Sequence, residues 1–192
     1  MIRELMDSAN LDLRVLLQHR DIDAAAFVAP TILRLAKDQN AQRKGQTEVE
    51  VSFRSGKDDV VQTFPMVFRW SVAGLDAEFG CSRFREELKK LRKSKNEHDI
   101  TELAAYGVAF ALPSALLPDD RVSRVVQVGG KGDFYLNDVR LEMIEIGGTL
   151  RGDVAGLFAR KRKQILANAR LTRAFVSVTR FDPLESRLER VR

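Results

Sequence analysis

VVQVGGKGDFYLNDVRLEMIEIGGT, residues Val125 to Thr149, reads as two or three short strands with one carboxylate opening a strand and another inside the next. Val125, Val126 and Val128 are β-branched, and Gly129-Gly130 lets the backbone turn or pass close to a neighbour. Asp133 opens the apolar run Phe134-Tyr135-Leu136, Asn137-Asp138 has tight-turn chemistry, and Leu141 to Ile146 resumes as a strand ending at Gly147-Gly148. With a side-chain period of two, Leu141, Met143, Glu145 and Gly147 share one face, and Glu142, Ile144 and Ile146 the other. An ionised Glu145 in so apolar a strand is costly unless a cation meets it. A divalent metal held jointly with Asp133 would meet that need.

Working outward, 192 residues make one domain, or one domain with an appended lobe: residues 1–80 as helices plus a hairpin, and 81–192 as the core with a charged tail. Apolar content of 44% with 31% charged fits a soluble globular chain, and no apolar run is long enough for a membrane span. The N-terminus has no signal-peptide core, and a lone Cys81 excludes an internal disulfide, so a reducing cytoplasm is expected. With only His19 and His98 besides, a Cys/His zinc site is not expected. Charge is uneven. Residues 121–192 hold fifteen Lys/Arg against eight Asp/Glu, a surplus of seven, which leaves about −2 for residues 1–120 out of the total of +5. The basic half carries the two carboxylates, and such asymmetry predicts a polyanion partner, DNA or RNA.

Residues 1–40 read as helical, Pro30 marking a helix start and His19 a surface residue near a helix end. Residues 38–46 read as a loop. Val49, Val51 and Phe53 alternate with polar residues, Ser55 to Asp58 turns the chain, and Phe64, Met66, Phe68, Trp70 and Val72 continue the apolar face. This 47–72 hairpin reads as packing, with a homodimer or protein-partner surface as a further use. Residues 82–95 predict a helix capped by Ser82, with Glu86 and Lys90 at i,i+4 and a basic face that includes Lys89, Lys90 and Lys93. Asp99 and Glu102 have capping-box spacing ahead of a buried helix, Ile100 to Leu112, so Glu102 is either a cap or an active-site acid. A third helix follows Gly152-Asp153 and bears Arg160, Lys161, Arg162 and Lys163, which cannot all be buried. Arg173 to Phe181 is a covered strand, and residues 184–192 a helical or frayed tail.

The order helix, strand, strand, strand, helix, strand from Ile100 to Phe181 resembles the PD-(D/E)XK nuclease superfamily. The resemblance implies an α/β (α+β) restriction-endonuclease-like αβββαβ core, preceded here by the helical segment and β-hairpin. It is carried by Glu102 in TELAAYGVAF, Asp133 in KGDFYL and Glu145 in IEIGG, with eleven residues between the last two. It implies that Asp133 and Glu145 bind Mg2+ or Mn2+, with the Ile146 carbonyl, for phosphodiester hydrolysis. Magnesium suits one or two carboxylates plus waters and phosphate oxygens, and it activates water near neutral pH. The sequence departs at Gly147, where the Glu-x-Lys triplet would have lysine. Lys131, Lys161 or Lys163 would then supply the ammonium. The basic residues of the two helices, Lys89, Lys90, Lys93, Arg160, Lys161, Arg162 and Lys163, are the candidate contacts to nucleic acid.

Two other readings stand beside this one. A catalytically inactive relative would bind nucleic acid or assemble complexes, with Glu145 salt-bridged to Arg140 or to the third helix. A different αβ domain would use GGKGD only as a turn: it lacks the Walker A spacing, and Tyr135 and Asn137 do not suit an EF-hand.

Overall fold

The computed structural model describes residues 9–19, 23, 25–56, 60–94, 96–117, 119–125, 133–137 and 139–192. Among these the chain runs β1 (Ala9–Asp12), a 3-10 helix (Leu13–Gln18), α1 (Ala25–Leu35), β2 (Lys44–Arg54), β3 (Gln62–Ser71), α2 (Val72–Phe79), α3 (Arg83–Lys93) and α4 (Glu97–Leu116). It continues through β4 (Val122–Val125), β5 (Phe134–Leu136), β6 (Val139–Thr149), α5 (Val154–Leu166), β7 (Arg173–Phe181) and β8 (Leu184–Arg190). The strands form one mixed sheet in the order β1-β3-β2-β8-β7-β6-β5-β4, giving a mixed α/β fold of α+β type. The sheet is continuous across residue 80, since β2 pairs with β8.

Alternation along β7 fixes the layers. Ala174, Val176 and Val178 pack with Phe158 and Ile165 of α5, whereas Phe175 and Phe181 pack in the larger cluster with Ala105, Val108 and Leu112 of α4. A strand covered on both faces needs apolar residues at odd and even positions, and β7 has them. α5 crosses between the parallel strands β6 and β7, while α4 lies on the opposite face. Gly148 makes the α4 contact possible. A Cβ there would stand 2.7 Å from Ala105 Cβ and 2.7 Å from the Thr101 carbonyl oxygen, so only glycine lets the helix lie this close.

Several expectations are corrected. Residues 9–12 are not helical: β1 pairs parallel with β3, placing Leu11 opposite Phe68, and short-range helical spacing does not register such a long-range partner. The 184–192 tail is β8, set between β2 and β7. Its charge pattern hid it, but Leu188 and Glu189 are fully buried, and Glu189 is neutralised by Arg54 and Arg187. β2 begins at Lys44 within the expected loop, and Val72 starts α2 with Ser71 as cap. α4 begins two residues before Asp99, with the Asn96 side chain accepting from the Asp99 amide, so no Asp99–Glu102 capping box forms. The helix also runs through Pro113 to Leu116. Ser82 makes no side-chain cap, and Glu86 pairs with Lys89 rather than Lys90. His19 is half-buried, its ring 5.9 Å from that of Phe110 and its Nδ1 3.3 Å from the Val122 carbonyl oxygen; burial pushes its pKa down. The 126–132 part of the opening stretch, the turn at 57–58 and Asp138 lie outside the described residues, as does the Arg140 side chain.

The apolar face of the 47–72 hairpin is buried within this chain. Val49, Val51, Phe64, Met66, Phe68 and Trp70 belong to the main core, and the Trp70 indole N–H donates to the Ala41 carbonyl at 2.8 Å. Among the described residues, no helix is long and apolar enough to cross a membrane.

Candidate active site

β5 sets Asp133 beside β6. Phe134 pairs with Ile144 and Tyr135 with Met143, and the Asp133 amide donates to the Ile144 carbonyl at 3.1 Å. One step further, the Asp133 carboxylate itself accepts from the Ile146 amide at 2.6 Å, standing in for a ladder carbonyl. This bond fixes the carboxylate at the point where β6 carries Glu145.

Glu145 has no exposed side-chain surface, and it lies on the β6 face covered by α5. Its partner is Lys161 of α5: the ammonium donates to Glu145 Oε1 at 2.6 Å and stands 3.8 Å from Asp133 Oδ2. One cation therefore serves both carboxylates. The second Glu145 oxygen, Oε2, is buried with no hydrogen-bond partner among the described residues. Gly147 explains how the lysine arrives. A Cβ at that position would stand 3.3 Å from Lys161 Cε and 3.4 Å from Leu157 Cγ and Cδ2, so the absent side chain leaves room for the lysine stem.

The electrostatics follow from burial. Desolvation, helped by the Asp133 charge and opposed by Lys161, pushes the Glu145 carboxyl up to about 7. Asp133 is raised by burial as well, against the pull of Lys161 and the Ile146 amide. Two carboxyls with raised proton affinity thus share one ammonium.

A cleft of about 640 Å³ lies beside this group; Lys161 lines it together with Glu102, Ile146, Gly147, Gly148 and Arg160 among others, while Asp133 and Glu145 stand behind the lysine and are not part of its lining. Glu102 of α4 thus reaches the same cleft, 44% exposed, and accepts a hydrogen bond from the Tyr106 hydroxyl at 3.1 Å. Tyr106 packs edge-on against Phe134 at 5.4 Å. Burial, followed by the charges of Asp133 and Glu102, pushes its phenol pKa well up, so it remains a hydrogen-bond donor. Tyr106 was not singled out from sequence, although its i+4 spacing from Glu102 is visible there.

Of the residues expected in the site, Asp133, Glu145 and Lys161 come together, and Lys161 shares the lining of the cleft with Glu102 and Arg160. Lys131 lies outside the described residues. Arg162 and Lys163 point away from the cleft, into a separate groove across α5. Lys89, Lys90 and Lys93 sit exposed on α3, which packs against α1 and α2, and Lys89 is paired with Glu86. At Ile146 the amide donates to Asp133, and the residue pairs with Ser177 in the β6–β7 ladder. Among the described residues no three His, Cys, Asp or Glu side chains converge as a metal cluster, so any hard-ion site here rests on two carboxylates. No family model, curated protein or solved structure matches this chain.

Proposed function

We propose that the chain is a metal-dependent nuclease with a restriction-endonuclease-like core, hydrolysing phosphodiester bonds of nucleic acid. The αβββαβ order of α4, β4, β5, β6, α5 and β7 supports the fold reading. One observation carries the site: Lys161 passes over Gly147 to meet Asp133 and Glu145, so α5 delivers the ammonium that the strand lacks at its third motif position.

The donor set suits Mg2+ or Mn2+. Asp133 and Glu145 offer hard carboxylate oxygens within reach of one cation, and buried Glu145 Oε2 lacks a partner among the described residues. These two residues would hold the ion, which when bound supplies Lewis acidity toward a phosphate oxygen and a water that ionises near neutral pH. Asp133 is aimed by the Ile146 amide. Lys161 exchanges its carboxylate contact for phosphate and stabilises the charge that develops there, an effect on the order of 10²-fold or more. Glu102, held by Tyr106, takes the place of the helix acid at the cleft wall, and Arg160 draws the phosphate in.

A second reading also has its own observation. Glu145 is salt-bridged to a residue of α5, the pairing expected of a nuclease-fold protein that binds nucleic acid without cutting it. Cleavage of single- and double-stranded DNA and RNA with Mg2+ or Mn2+ separates the two. Metal-dependent cleavage lost in D133N, E145Q and K161M supports the enzyme. Salt-sensitive binding with no cleavage by the native chain supports the second reading, and equal cleavage by D133N and E145Q removes the site.

A further inference from the structure

The four consecutive cations of α5 divide between two grooves. At about 100° per residue, Arg160 and Lys161 turn toward the cleft, and Arg162 and Lys163 toward a groove of about 660 Å³ on the other side of the helix. That second groove has two further cations on its opposite wall, Arg54 at the end of β2 and Arg187 on β8. Both are built in. Arg187 lies over the Phe158 ring at 4.0 Å, and both guanidiniums hold the fully buried Glu189, Arg54 at 2.5 Å. Among the described residues one carboxylate stands against these four cations, a surplus of three positive charges.

Many arginines of the described residues are ion-paired, including Arg34, Arg83, Arg151, Arg173 and Arg180. Arg162 and Lys163 are exposed and form no ion pair among the described residues. Arg54 Nε is buried with no hydrogen-bond partner among the described residues. Two ordered guanidiniums opposite two free cations make a track for phosphate. Planar guanidinium forks suit phosphate oxygens, and the helix cations add charge without fixed geometry.

We infer that this groove, formed by Arg54, Arg162, Lys163 and Arg187, is a second nucleic-acid contact that holds the phosphate backbone of a strand on the far side of α5 from the cleft. The inference rests on the nucleic-acid reading above. It is separable from catalysis because none of the four residues lines the cleft. Nucleic acid is favoured over an acidic peptide because the innermost carboxylate position is already filled by Glu189, which leaves the outer donors spaced along a groove.

The test is binding of fluorescent single-stranded and duplex oligonucleotides to the full chain in EDTA across a salt series. R162A/K163A removes two phosphate contacts. It should weaken binding about tenfold at low salt and flatten the slope of log K against log salt by about 1.4 for a single strand or 1.8 for a duplex. R162K/K163R keeps the charges and should restore both. K37A/K44A removes the same charge from the N-terminal half and should change neither. A loss in R162A/K163A no larger than in K37A/K44A overturns the inference, as does tighter binding of poly-glutamate than of the oligonucleotides. Cleavage that is absent while the R162A/K163A effect persists would remove the enzyme reading and leave the groove. Cleavage abolished by E145Q with no R162A/K163A effect would do the reverse.

Discussion

Replacing Lys161 by Met removes the ammonium between two carboxylates while keeping the stem that fills the space over Gly147. Breaking a buried ion pair by deleting one partner typically costs about 3–5 kcal/mol. Here that figure is a ceiling, because Glu145 can take up a proton instead. With its carboxyl at about 7, protonation at about pH 8.5 limits the cost to about 2 kcal/mol, at about 1.4 kcal/mol per unit. For a chain of 192 residues this corresponds to a melting temperature lower by about 4–8 °C. At about pH 5.5 Glu145 is already protonated in the native chain, so Lys161 has little to neutralise and the K161M loss should fall below about 0.5 kcal/mol. Urea denaturation of both proteins at the two pH values gives the comparison. An equal loss at both, or none at pH 8.5, would refute the idea that Lys161 stabilises an ionised, buried Glu145.

Three other outcomes follow from the same geometry. Because native Glu145 holds its proton more tightly than the unfolded chain does, native stability should decline as pH rises from about 4.5 to about 7, by up to about 1.4 kcal/mol per unit, and pH-dependent urea unfolding should show this component absent in E145Q. G148A should destabilise by about 1–3 kcal/mol, since its Cβ would meet backbone and Ala105 at 2.7 Å, whereas G147A should lose under about 1 kcal/mol yet reduce cleavage by crowding the Lys161 stem; unfolding and single-turnover assays together separate the two. Mg2+ should raise the melting temperature above pH 7 and hardly at pH 5, where Glu145 keeps its proton, with E145Q unresponsive at both in thermal scans.

The core strands were legible because their pattern is local. β6 and β7 show period two or a continuous apolar run, and Asn137 takes the left-handed backbone, φ 54°, that the expected turn requires. The pairing of β5 with β6 placed Asp133 near Glu145 for the same reason. β8 escaped because its charges read as solvent-facing, whereas Glu189 is buried by arginines from β2 and from β8 itself. β1 escaped because a four-residue parallel strand has meaning only beside β3. Within the site, sequence left three lysines open for one role. Helical phase turns Lys163 toward the other groove, and the lack of a Cβ at Gly147, under α5, gives Lys161 its room beside the carboxylates.

The most direct measurement is a crystal structure of the chain with Mn2+, using anomalous scattering to locate the ion. The account predicts a peak about 2.0–2.2 Å from oxygens of both Asp133 and Glu145, with the Lys161 ammonium displaced from Glu145 Oε1 toward the cleft. A structure at saturating Mn2+ in which Lys161 still bridges the two carboxylates, with no peak between them, would contradict it.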